Sequence, residues 1–130
     1  MNLNLRAFFA FLAILLVVVV ANAGEPVAPR QLASQLGAAN APLILDVRTQ
    51  DEFDAGHVPG AVLIPHDQLA GRLDEVPTDR AVVVYCHSGR RATLSEQLLA
   101  ENGRAVSQLD GSWIGWRAAG LPVEMAEQHP

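Results

Sequence analysis

The sequence predicts an α/β fold, with a central mostly parallel sheet of about five strands and helices on both faces. Two observations carry that expectation. Short runs dominated by aliphatic residues recur at residues 42–47, 61–64, 81–85 and 105–109, which is the length of buried strands. Segments with helical spacing, or with helix start and stop residues, lie between them. Strands alternating with helices favour a parallel sheet covered on both sides.

The first residues stand apart from this pattern. Arg6 precedes a uniformly apolar run from Ala7 to Val20, and Ala21-Asn22-Ala23 forms a small-residue processing site before Gly24. The run is shorter than the roughly 20 residues that span a bilayer. Residues 1–23 therefore read as a cleaved signal peptide and imply a periplasmic protein. An uncleaved membrane anchor is the alternative. No Arg-Arg pair precedes the run, which favours the general secretory route, and no cysteine follows the cleavage site to take a lipid. Removing 23 of 130 residues leaves 107, enough for one domain with one core.

In chain order, residues 24–28 are expected as a short tether, residues 29–125 as the domain and residues 126–130 as a tail. Pro29 opens a helix that carries Leu32 and Leu36 and stops at Gly37. After the strand at 42–47, Thr49 and Glu52 form a capping box that predicts a helix over 50–55, closed by Gly56. Pro65 ends the strand at 61–64. Leu69, Leu73 and Val76 suggest a short helix before Pro77. The strand at 81–85 is the clearest of all. Leu94, Leu98 and Leu99 keep helical spacing from Arg91 to the Asn102-Gly103 stop. A strand at 105–109 and a helix over 113–119 complete the domain.

The net charge is −5 on the full sequence and −6 once Arg6 is removed, which argues against nucleic acid as a partner. All nine basic residues are arginine, a compositional bias without mechanistic weight. Cys86 is the only cysteine, so no internal disulfide is possible. An unpaired thiol in an oxidising compartment is a liability unless it is shielded or useful.

Its surroundings favour use. Val82-Val83-Val84-Tyr85 runs into Cys86-His87-Ser88-Gly89-Arg90-Arg91, after which a helix begins. The thiolate is the nucleophilic form of cysteine, and helix N-termini and arginines favour it. A tight turn over residues 87–91 can aim its amides inward as an anion-binding nest, with Gly89 best able to take a left-handed backbone. Arg90 and Arg91 remain charged and suit an oxyanion. The constellation describes a pocket for a small anion whose electrophilic atom the sulfur attacks.

These residues resemble the single-domain rhodanese family of thiosulfate sulfurtransferases. The likeness rests on Leu45-Asp46-Val47-Arg48, Glu52-Phe53, Gly56-His57-Val58-Pro59-Gly60-Ala61, and the loop Tyr85-Cys86-His87-Ser88-Gly89-Arg90-Arg91. Leu109-Asp110-Gly111, Trp116 and Gly120-Leu121-Pro122 follow in the family's order. Gly111-Ser112 stands where Gly-Gly is often seen, a departure expected to touch packing more than chemistry. The resemblance implies that Cys86 takes the outer sulfur of thiosulfate, releases sulfite and carries a persulfide cradled by the amides of residues 86–91. Cyanide or a thiol then accepts the sulfur, giving ping-pong kinetics. Neither a metal nor an organic cofactor is implied. The partners are a small anionic donor and its acceptor, and a monomer is expected.

Nearby polar residues have quieter readings. Arg91 is expected to contact the anion, whereas Arg90 is as well placed to face solvent. His87 reads as an exposed histidine at the substrate rim, because neighbours in a tight loop rarely aim at each other. Arg48 is expected to pair with a nearby carboxylate, His57 to lock a turn, and Trp113 and Trp116 to pack the last helix. A cysteine phosphatase of the same fold needs five residues between cysteine and arginine. Here four separate Cys86 from Arg91, and the smaller loop favours sulfur over phosphate. A persulfide-binding relay module with little turnover alone is the alternative from outside the enzymes.

Overall fold

The computed structural model describes residues 23–127. The expected signal peptide, apart from Ala23, and residues 128–130 of the expected tail lie outside that range. The elements are α1 (Pro29–Gln35), β1 (Leu43–Asp46), α2 (Gln50–Ala55), β2 (Val62–Leu63), β3 (Val82–Tyr85), α3 (Arg90–Glu101), β4 (Val106–Gln108) and α4 (Ser112–Ala118). The strands stand in the order β2-β1-β3-β4, and every pairing is parallel.

Local signals explain several boundaries. Pro29 occupies the first turn of α1, where its missing N–H costs nothing. Thr49 and Glu52 form the reciprocal capping box at the start of α2. Each strand C-terminus is followed by a loop at the same edge of the sheet. The chain moves from β1 outward to β2, then crosses back to place β3 on the other side of β1. The loops after β1 and β3 therefore diverge at this edge, and such a switch point leaves a crevice where α/β proteins bind ligands.

Among the described residues the sheet has four strands rather than about five. The fifth row is the segment expected as a tether. Ala23 and Val27 make isolated parallel bridges to Val106 and Leu109, and the Gly24 and Val27 amides donate to the carbonyls of Val106 and Gln108 at 2.8 Å each. Pro26 interrupts this row, so it covers the edge of β4 without becoming a regular strand. The helix expected around Leu69–Val76 is also replaced, by two 3-10 turns over Leu69–Gly71 and Leu73–Glu75. Gly71 weakens a helix at its centre, and Arg72 at φ −129° breaks the winding. The apolar spacing reported burial there, since Leu69 and Val76 sit in the core.

Strand alternation divides the core. Leu45, Val82 and Val84 pack on one face with Leu69, Ala92 and Leu99. Ile44, Val83 and Tyr85 pack on the other with Leu32, Leu109 and Trp116. Helices thus cover both faces, α3 on the first and α1 with α4 on the second. Cys86 continues the phase of Val82 and Val84 and joins the α3 side. Among the described residues no helix is long and apolar enough to cross a membrane.

Candidate active site

Cys86 is the first residue beyond β3 and is 1% exposed. Its sulfur is nonetheless met by polar groups. Gly89, at the N-cap of α3, takes φ 119° and turns its backbone N–H toward Sγ, which accepts it at 3.0 Å. Few side-chain-bearing residues tolerate that backbone, so the glycine is what lets the chain fold back over the thiol. The turn then runs directly into α3, whose N-terminal end carries partial positive charge beside the sulfur.

A second element closes on the loop from α4. The Trp113 and Ile114 amides donate to the carbonyls of Cys86 at 3.0 Å and His87 at 3.2 Å. Ser112 Oγ accepts the Cys86 amide at 3.3 Å and lies 4.0 Å from Sγ. Ser112 is 1% exposed and sits at φ 51°, the only non-glycine among the described residues with positive φ. A left-handed backbone costs a side-chain-bearing residue about 1–2 kcal/mol. The departure from Gly-Gly at this position therefore reaches the Cys86 amide and sulfur and is not confined to helix packing.

Two arginine–carboxylate pairs flank the loop. Arg48 is buried and forks onto the Asp46 carboxylate, with its Nε at 3.0 and 3.1 Å and a terminal nitrogen at 2.8 Å. That same terminal nitrogen donates to the Gly56 carbonyl at 2.7 Å. Tyr85 donates its hydroxyl to Asp46 Oδ2 at 2.7 Å and accepts the Val58 amide at 3.1 Å. Burial, reinforced by the Asp46 charge, pushes the Tyr85 phenol well above its ordinary range. Burial works against the Arg48 charge, but Asp46 more than offsets it and the net shift is upward.

The outer pair joins Arg91 to Glu52, with two guanidinium–carboxylate contacts of 2.8 and 3.0 Å. The hydrogen bond from Arg91 lowers the Glu52 carboxyl to about 2, against its partial burial and with help from the Thr49 backbone. Glu52 raises Arg91 in turn, and the nearby Cys86 sulfur adds to that effect. Both terminal nitrogens of Arg91, the residue expected to contact an anion, bind the Glu52 carboxylate.

The loop opens on a recess of about 580 Å³ lined by Arg48, Glu52, Gly56, His87, Arg91, Trp113 and Arg117, among others. His87 is exposed on its wall, and Arg90 and Ser88 face solvent. His57 donates its Nδ1–H to the Phe53 carbonyl at 2.8 Å and stacks on the Phe53 ring, away from the recess wall. Trp116 is fully buried, whereas Trp113 is half-buried with Arg48 4.6 Å from its ring. Ser112, Trp113, Arg117 and Glu52 join the site from outside the loop motif. The sequence marks Glu52 through its capping box and the Glu52-Phe53 match, Trp113 as a packing residue and Ser112 through the Gly111-Ser112 departure, but gives no signal for Arg117. Among the described residues no cluster of three or more His, Cys, Asp or Glu side chains is placed to share a metal ion.

The model of a family described as the rhodanese-like domain matches residues 28–119. The chain belongs to the rhodanese-like family. A protein named sulfurtransferase from Allochromatium vinosum is 37% identical over 86 residues, which cover 65% of this chain and 80% of that protein. A Mycobacterium tuberculosis protein named HTH-type transcriptional regulator Rv0324 is 42% identical over 83 residues, or 62% of this chain. The match spans only 37% of that longer regulator. Among solved structures, a rhodanese-like domain protein from Staphylococcus aureus superposes with a TM-score of 0.71 at 25% identity, covering 80% of this chain and all of that one. The rhodanese-like fold and a central parallel sheet are thus common to this chain and its neighbours.

Proposed function

We propose that this rhodanese-like domain is a sulfurtransferase that carries sulfane sulfur as a persulfide on Cys86. In the first step the Cys86 thiolate attacks the outer sulfur of thiosulfate. A sulfur–sulfur bond forms to the protein, the donor's own sulfur–sulfur bond breaks, and sulfite leaves with the bonding pair. In the second step a thiolate or cyanide attacks the outer persulfide sulfur and releases Cys86 as thiolate. No net redox partner is needed, because each step exchanges one nucleophile for another at the same sulfur.

The observation that carries the reading is the Gly89 N–H held 3.0 Å from Sγ at the head of α3, with the Ser112 hydroxyl 4.0 Å from the same sulfur. Donors in this arrangement favour an anionic sulfur, and the next loop residue, His87, lines the adjoining recess. The name of the Allochromatium relative supports the same chemistry.

Intact mass spectrometry after incubation with thiosulfate tests it. The native protein gains one sulfur atom, which cyanide then removes as thiocyanate, and Cys86→Ser gains none. Persulfide that forms only when a donor protein is supplied would assign a relay role instead. Turnover of p-nitrophenyl phosphate with Cys86 unmodified by thiosulfate would overturn the reading altogether. We also propose that the chain is exported and processed after Ala23. N-terminal sequencing of protein from the natural host should begin at Gly24, and a start at Met1 would indicate the uncleaved anchor.

A further inference from the structure

Three arginines line the recess beside the Cys86 loop, but their charges are not equally available. Arg48 is neutralised by the Asp46 fork and Arg91 by Glu52. Arg117, in the last turn of α4, is exposed and has no carboxylate or hydrogen-bond partner among the described residues. Its guanidinium lies 5.8 Å from the Trp113 ring, which gives it an aromatic bed and leaves its N–H groups free. The chain as a whole carries a net charge of −5, so an anion approaching it meets no general attraction. A local uncompensated cation then decides where the anion settles.

Volume narrows the ligand. The recess holds about 580 Å³, within the roughly 300–1,000 Å³ range of sites for organic molecules and far more than a five-atom inorganic anion occupies. Trp113 supplies a flat apolar wall for a carbon skeleton, and the loop side chains His87 and Arg91 mark the end nearest the sulfur. Resting on the reading of Cys86 as the sulfur carrier, we propose that this recess binds the carboxylate-bearing part of an organic thiol or persulfide. Arg117 anchors the carboxylate and Trp113 supports the carbon chain. When such a thiol is the acceptor, its thiolate attacks the outer sulfur of the Cys86 persulfide. The bond to Cys86 breaks, and the organic persulfide leaves while Cys86 returns to thiolate.

The anchoring role can be read without any sulfur transfer. Cys86 alkylation by iodoacetate and by iodoacetamide differs mainly in the charge of the reagent. Arg117→Ala should lower the iodoacetate-to-iodoacetamide rate ratio by about three- to tenfold, the effect of one unit charge at close range in partly wet surroundings. Arg117→Lys should keep the ratio near native. Arg80→Ala should leave it unchanged, because Arg80 donates to the Ala41 carbonyl at the opposite end of the sheet. An unaltered ratio in Arg117→Ala, or an equal fall in Arg80→Ala, would overturn the proposal.

The second readout uses persulfidated protein with 3-mercaptopropionate or 2-mercaptoethanol as acceptor. The native protein should prefer the carboxylate-bearing thiol through a lower KM, and Arg117→Ala should bring the ratio of the two KM values close to one. A native protein without preference would overturn the subsite. If thiosulfate never loads Cys86, the sulfurtransferase reading fails while the alkylation ratios still decide the anion subsite.

Discussion

β1 and β3 are paired neighbours whose last residues, Asp46 and Tyr85, stand opposite each other. Beyond them the two strand ends diverge in design. After β1, every strong polar group is answered within the protein: Asp46 takes bonds from Arg48 and Tyr85, and Arg48 also reaches Gly56. After β3, a thiol receives an amide, a hydroxyl stands close by, and a recess opens alongside. The first end is a brace, and under the proposed function the second is a receptor. A buried pair that is saturated holds position but offers nothing to a ligand, whereas a reactive group needs donors that a ligand can share or displace. Placing one beside the other lets the brace fix the loop that must stay open.

The comparison is broken most severely at the brace. Asp46→Asn leaves the Arg48 cation buried without its counter-charge, and such losses cost roughly 3–5 kcal/mol. Urea unfolding should show that loss as a lower midpoint with an unchanged slope. Adding Arg48→Met in the same background should recover much of it, because the orphaned charge is then gone. Equal instability in the single and double variants would mean that the pair shapes the fold by geometry and not by charge balance.

How far each end was legible in the sequence follows from the range of its contacts. The β3 end announced itself locally, since the valine run, Cys86, Gly89 and the two arginines are contiguous. The Thr49–Glu52 capping box was equally local and predicts the observed start of α2. Glu52 has a second duty that no local rule reveals: it bridges to Arg91 across 39 residues. Ser112 reaches Cys86 across 26 residues, and Arg117 enters the recess only because α4 docks on the loop carbonyls. The edge row falls on Ala23, expected to end the signal peptide, and on the expected tether at 24–28, and its partner β4 is likewise remote in sequence. The turns at 69–75 failed differently, because apolar spacing reports which side chains are buried and says little about how the backbone winds between them.

The Glu52–Arg91 pair sharpens the contrast by sitting between brace and receptor, partly exposed. Its carboxyl is lowered from an ordinary 4.5 to about 2, chiefly by the Arg91 hydrogen bond. A depressed acid contributes stability that is complete above its unfolded value and is lost as pH falls through the folded one. The contribution should therefore fade between about pH 4.5 and pH 2. Glu52→Gln should flatten that part of the stability profile while costing no more than about 1 kcal/mol at pH 7, as befits a solvent-reached pair. It also releases the Arg91 charge into the recess, so Cys86 should react faster with iodoacetate relative to iodoacetamide. A native acid profile in Glu52→Gln would show that other carboxylates govern that pH range.

The smallest expected effect lies at Ser112, where strain and chemistry can be separated. Ser112→Gly removes the hydroxyl near Sγ and the cost of holding a side chain at φ 51°. Ser112→Ala removes the hydroxyl but keeps the strain. If the hydroxyl supports the anionic sulfur, both variants should alkylate more slowly with iodoacetamide at a fixed pH, by about two- to fivefold for one long, weak donor. Only the glycine variant should resist urea as well as the native chain, with a gain of up to about 1 kcal/mol over alanine. Alkylation rates that follow stability, slow in alanine and native in glycine, would assign Ser112 to the posture of the loop and remove it from the shell around the sulfur.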